Sequence, residues 1–143
     1  MMSVTHKEIL HLFVRFFYVI INNMYKILSA LLLILSIFSI SYFVFEPMNL
    51  YFILPNLDIL MHLLGGFAFG FFFISIFEFK SFKISLLSLM LSVLFVGIVW
   101  EIYEWVSDII NLRTYGGWVD TIKDIFDDML GAYLSFKLCQ KSK

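Results

Sequence analysis

The sequence predicts an all-α fold: a polytopic membrane helical bundle with four transmembrane helices and an N-terminal amphipathic helix at the membrane interface. Three observations carry that expectation. Of 143 residues, 62% are hydrophobic and only 15% charged, three nearly charge-free runs reach bilayer length, and lysine and arginine gather on one side of the layout those runs impose. Soluble domains hold roughly 45–50% apolar residues, so the solvent these residues require is mostly a bilayer. The 18 Phe, 7 Tyr and 3 Trp suit its lipid-facing and interfacial zones.

Taken in order, residues 5–24 mix His6, Lys7, Glu8, His11 and Arg15 with Leu10, Leu12, Phe13, Phe16 and Phe17, as expected of a helix lying in the interface. A further crossing by this segment is the alternative, and it would reverse the topology. A span needs about 20 apolar residues. Residues 27–45 contain no charge and stop at Glu46-Pro47; residues 59–77 stop at Glu78; residues 84–105 are apolar until Glu101 and Glu104. The fourth span, 122–138, is shorter and carries Asp124, Asp127 and Asp128 before the apolar run 129–136. Turn residues fall where loops are needed: Pro47, Pro55 and Asn56, then Asn111 and Gly116-Gly117. No internal repeat is evident, and a single domain over 1–143 holds the whole chain. No short apolar core with an A-x-A-like cleavage site opens the chain, so the first span is expected to stay as an anchor.

The basic residues test this layout. Lys7, Arg15 and Lys26 precede the first span, Lys80 and Lys83 lie between the second and third, and Lys137, Lys141 and Lys143 follow the fourth, leaving Arg113 and Lys123 opposite. That bias puts both termini in the cytoplasm and the chain in the plasma (inner) membrane. There is no basic stripe for nucleic acid. The lone Cys139 can form no internal disulfide and reads as a small apolar filler.

The acids show the opposite asymmetry. Glu8 and Glu78 belong to the cytoplasmic side, whereas Glu46, Asp58, Glu101, Glu104, Asp108, Asp120, Asp124, Asp127 and Asp128 belong to the outer half. The positive-inside rule is nearly indifferent to Asp and Glu, so it does not require this. Asp58 and His62 are four apart and share a helix face, Glu101 and Glu104 are three apart, and Asp120, Asp124 and Asp128 descend one face of the last helix. Turned inward, these faces converge in one polar pocket open to the outside. Asp58 and Asp120 could instead be N-caps. Glu101 and Glu104 fit poorly as dipole-favoured acids, because they lie near a helix C-terminus. Gly66 and Gly70, and likewise Gly131 and Ser135, have the small-xxx-small spacing that lets helix backbones approach closely.

Clustered carboxylates need protons, water or cations to offset their repulsion. Lys123 and Arg113 could neutralise two. A hard divalent cation (Mg²⁺, Ca²⁺, Mn²⁺ or Zn²⁺) would neutralise more, with Asp58, His62, Glu101, Glu104, Asp124 and Asp128 as candidate ligands. The spacing does not choose among these ions, and it matches neither HExxH nor a cysteine-based site. In a catalytic reading, Asp58 or Glu101 holds His62 as a general base and Glu104 joins the acids whose mutual repulsion raises their pKa. No activated nucleophile stands out, so the residues leave open whether this is an enzyme. No other cofactor is implied. A ligand reached at the outer interface would be amphiphilic, such as a lipid or a lipid-linked sugar or peptide.

The ordered run Asp58-x-x-x-His62, Glu101-x-x-Glu104, Asp120-Thr121-x-x-Asp124-x-x-x-Asp128-x-x-Gly131-Ala132 resembles the VanZ-like membrane proteins, above all their YjdF-type inner-membrane branch. The resemblance spans 58–132, about half the chain. It implies a small multi-span protein whose polar residues gather near one face. Ile59 stands where that pattern often has Lys, Glu104 where it often has Gln, and Asp128 where it commonly has Asn. The link of some members to glycopeptide-antibiotic tolerance does not transfer to this chain. Two other roles compete: a structural protein whose acids recruit a basic partner, and a carrier, since intramembrane acids and His also build proton relays. Oligomeric state is not legible.

Overall fold

In this computed structural model the described residues are 6–54, 56–80, 82–110 and 117–141. Pro55, Asn111, Arg113 and Gly116, to which the sequence assigns turns and one cation, lie outside them. The architecture is all-helical: α1 (His6–Ile40) runs on into a π-helical turn (Ser41–Phe45), followed by the short α2 (Leu50–Ile53), then α3 (Asn56–Phe79), α4 (Leu86–Ile110) and α5 (Trp118–Lys141).

Three helical stretches are long and apolar enough to cross a bilayer, namely 17–45, 56–79 and 86–110. At about 1.5 Å per residue, the 24 residues of α3 reach about 36 Å, enough for a hydrocarbon layer of about 30 Å. Four serine hydroxyls inside these helices are satisfied locally. The hydroxyls of Ser29, Ser36, Ser75 and Ser92 each donate to the carbonyl four residues back, as a lipid environment demands.

The helix boundaries depart from the sequence reading in instructive places. The interfacial segment 5–24 is not a separate helix where it is described, because α1 continues from His6 to Ile40 without a break. Asn22-Asn23 alone, with no proline or glycine nearby, does not end a helix. The third span begins after Ser85, whose Oγ accepts a hydrogen bond from Ser88 N at 3.1 Å, so Ser85 is the N-cap and Ile84 lies outside. α5 begins at Trp118 because Gly117 (φ 86°) turns the chain and its carbonyl accepts from Asp120 N and Thr121 N. Asp58 and Asp120 therefore sit in the first turns of α3 and α5, inside the helices and not at their caps. α5 does not pass the length-and-composition criterion that the other three meet.

The bundle is organised around α3, which packs most extensively on α5 and then on α1. Glycine makes the α3–α5 seam. A Cβ at Gly66 would overlap the Asp128 backbone, one at Gly131 would overlap Leu63 O and Phe67 N, and one at Gly70 would meet Ser135 Oγ and Ala132. On α4, Leu89, Val93, Gly97 and Glu101 are buried at four-residue intervals and form the face turned inward. Ile74, Leu89, Val93 and Ala132 make the small apolar core below the acids. α1 lies along α3, clamped at one end by Lys26 Nζ–Glu78 Oε2 at 2.9 Å, and scarcely touches α4.

The seam generates a stability test. Gly66→Ala should lose about 1–3 kcal/mol through overpacking. Gly65→Ala, whose Cβ would meet only Asp128 Oδ1 at 3.8 Å, should change stability by less than about 0.5 kcal/mol. Thermal unfolding of the purified protein in detergent compares the two, and equal melting temperatures would contradict the tight α3–α5 approach.

Candidate functional site

At the end of the bundle where α3 and α5 begin, the seam forces α5 backbone against α3, and the acids of α5 follow. His62 is only 6% exposed. Its Nδ1 lies 3.5 Å from Asp128 Oδ1 and its Nε2 3.7 Å from Asp58 Oδ1, so one imidazole stands between carboxylates from two helices. Asp128 reaches this position by leaning on bare backbone: a Cβ at Gly97 of α4 would come within 2.8 Å of Asp128 Oδ2.

α4 contributes its two acids differently. Glu101 is buried and hydrogen-bonded to Thr121, while its Oε1 has no partner among the described residues. Glu104 is half-buried and accepts a hydrogen bond from Trp100 Nε1 at 2.8 Å. On α5, Lys123 Nζ lies 3.0 Å from Asp120 Oδ1, 3.1 Å from Asp124 Oδ1 and 3.3 Å from Asp58 Oδ2. Asp124 is 2% exposed and is held by that ammonium at its Oδ1. Asp127 is also buried, with Oδ2 unpartnered among the described residues. Buried carboxylate oxygens without a hydrogen-bond donor are costly while ionised, so a proton, water or cation stabilises them.

Two groups bring ligand atoms within 4.8 Å of one another: Asp58, His62 and Asp124, and His62, Glu101 and Glu104. Opposite ligands of a hard divalent cation span about 4–5 Å, so either group suits such an ion. His62 belongs to both. Of the six candidate ligands, Asp128 alone enters neither group, although it contacts His62. Gly66, Gly70, Gly131 and Ser135 lie in the α3–α5 seam just beneath.

A cavity of about 420 Å³ opens beside the cluster, between α1, α3 and α4. Asp58, His62, Glu104 and Asp128 line one part of it, and Ile34, Phe69 and Val93 line another. At its polar rim Ser41, in the π-helical turn, shares a 2.5 Å hydrogen bond with Tyr51. Burial, ahead of the nearby Asp58, Glu104 and Glu46 charges, pushes the Tyr51 phenol above its usual range despite the Ser41 bond, so it remains a neutral donor.

Residues 5–141 match the family described as "Predicted membrane protein (DUF2238)". The chain belongs to that family. No curated protein and no solved structure matches the chain. Within this DUF2238 protein, Lys123, which the sequence offers as a neutralising cation, stands among three acids, and the participants that sequence spacing missed are Trp100 as donor to Glu104, Gly97 as the floor under Asp128, and the Ser41–Tyr51 pair. Lys123 carried a usable signal, since it falls between Asp120 and Asp124 at the start of the last helix. Trp100 carried one too, four residues before Glu104 and so on the same helix face.

Removing the internal cation tests the electrostatics. Lys123 is partly exposed, which screens its pairs, so Lys123→Met should cost about 1–2 kcal/mol, short of the cost of breaking a fully buried pair. Adding Asp124→Asn should recover part of that loss. A double-mutant cycle in thermal unfolding reads the coupling, and strictly additive effects would show that the two side chains do not interact.

Proposed function

We propose that this protein binds a divalent cation together with the polar head of an amphiphilic, envelope or lipid-linked ligand at the outer boundary of the plasma membrane. The observation that carries the reading is His62, buried and common to two clusters whose four carboxylates come from three helices, at the polar end of a cavity whose other walls are apolar. In this reading Asp58, His62, Glu101, Glu104 and Asp124 supply the ligands and Asp128 holds the imidazole. Among Mg²⁺, Ca²⁺, Mn²⁺ and Zn²⁺, oxygen-rich ligation favours the harder ions. Where the bound ligand reacts, His62 held by Asp58 moves the proton, and Glu101 and Glu104 are the acids beside it.

The membrane layout in this proposal has four spans, α5 being the fourth. Its support is the inversion of α5: Asp124, Asp127 and Asp128 are buried, while Val119, Ile122, Phe126, Leu130 and Leu138 are exposed. A helix with acids inside and an apolar exterior suits lipid. Both termini are then cytoplasmic, with the first turns of α1 along the inner interface and the acids at the outer one, in keeping with the side on which Lys7, Arg15, Lys80, Lys83, Lys137 and Lys141 fall. The ordered motif from Asp58 to Ala132, like that of the VanZ-like proteins, favours the same gathering of polar groups near one face. A carrier role is disfavoured because Ile74, Leu89, Val93 and Ala132 close the bundle below the acids without ionisable groups. Lys123 already engages Asp58, Asp120 and Asp124, which weakens a role in recruiting a basic partner.

Two measurements test this. Mn²⁺ binding by the purified protein should weaken about 10–100-fold in His62→Ala and in Glu101→Gln; unchanged binding removes the metal from the proposal. Reporter fusions should place both termini in the cytoplasm, and an external C-terminus would remove α5 as a span.

A further inference from the structure

The cavity is graded along the helices. Where α3 starts, its lining is Ser41, Tyr51, Asp58 and Glu104; one turn on it is His62; deeper, toward the middle of α3 and α4, it is Phe69 and Val93, with Ile34 from α1. Its polarity thus falls in the direction in which a bilayer's polarity falls. A pocket for a water-soluble molecule has no need of an apolar extension buried at mid-membrane depth.

The wall facing lipid is also the weakest seam of the bundle. α1 packs along α3 and hardly meets α4. Across that gap the described aromatic contact is Phe38 against Trp100, edge to face at 5.9 Å between ring centroids. Such a pair is worth only about 0.5–1.5 kcal/mol beyond its burial, and Phe38 is itself 42% exposed. Trp100 meanwhile donates to Glu104, so the residue that faces Phe38 also orients an acid of the cluster. A cavity of this volume lies within the range of about 300–1,000 Å³ typical of small-molecule sites.

We infer that the gap between α1 and α4 admits a lipid sideways from the outer leaflet, its hydrocarbon chain occupying the slot lined by Ile34, Phe69 and Val93 while its head meets the His62 cluster. This rests on the proposed orientation and deepens the proposed function by assigning the chain of the amphiphile its own subsite. Parting of Phe38 from Trp100 opens the path. Because Trp100 also holds Glu104, chain entry and the geometry of the acids are coupled.

The test uses the full chain in nanodiscs of phosphatidylethanolamine and phosphatidylglycerol containing a phospholipid with a diazirine near the end of one acyl chain. After irradiation, mass spectrometry should find adducts at Phe69 and Val93, which face the slot, beside the background on the lipid-facing α1 residues Leu28 and Leu35. Ile34→Trp, which fills the slot, should lower the Phe69 and Val93 adducts about tenfold relative to that background while leaving Mn²⁺ binding in place. Adducts confined to Leu28 and Leu35, or unchanged by Ile34→Trp, overturn the inference. So does a cross-linked dimer joined through the α1–α4 gap, which would make a second copy the occupant. Slot labelling of the unmutated protein together with no Mn²⁺ binding by it would count against the metal alone, so the two proposals fail separately.

Discussion

Everything at the polar end of this molecule depends on how closely the backbones of α3 and α5 approach. At Gly66 and Gly131 there is no room for a methyl group: the Asp128 backbone fills one site, and Leu63 O and Phe67 N fill the other. In lipid no hydrophobic force drives apolar helices together, so close van der Waals packing of small residues does much of that work. The consequence is electrostatic. With the backbones this near, side chains as short as aspartate on α5 reach the imidazole on α3, and no larger seam residue would leave them within range.

That approach concentrates negative charge where dielectric screening is poor. Asp58, Asp124, Asp128, Glu101 and Glu104 gather around one histidine, with one ammonium, Lys123, shared between Asp58 and Asp124 of these and the neighbouring Asp120. Lys123 bonds Asp58 and Asp120 and pairs with Asp124 at 3.1 Å, while Glu101 Oε1 and Asp127 Oδ2 have no hydrogen-bond partner among the described residues. Such a cluster is expensive to hold together unless something positive completes it. Sites of this kind are characteristically functional when they lie within a membrane protein.

The remaining design is mechanical. α3, α4 and α5 form a packed unit, while α1 is attached through α3 and the Lys26–Glu78 clamp at the opposite end from the acids. The π-helical turn Ser41–Phe45 continues α1, and its Ser41 meets Tyr51 of α2. Irregular turns of this sort are common at functional sites. A helix packed along α3 but hardly against α4 leaves one side on which a ligand can enter.

Sequence alone determined the class of solvent, the three long apolar spans, and the acids that share helix faces, because hydropathy, charge and a 3.6-residue period are local properties. It also marked Gly66, Gly70, Gly131 and Ser135 as seam residues by spacing, without saying which helix faced which. Only the tertiary structure decided that Gly66 meets Asp128, that Gly97 makes room for its carboxylate, that Glu101 turns toward α5 while Glu104 turns toward the cavity, and that Lys123 reaches Asp58 sixty-five residues away. It decided as well that α1 and α4 stand apart. Such facts depend on helix rotation and separation, which packing across the whole bundle sets and no short window of sequence encodes.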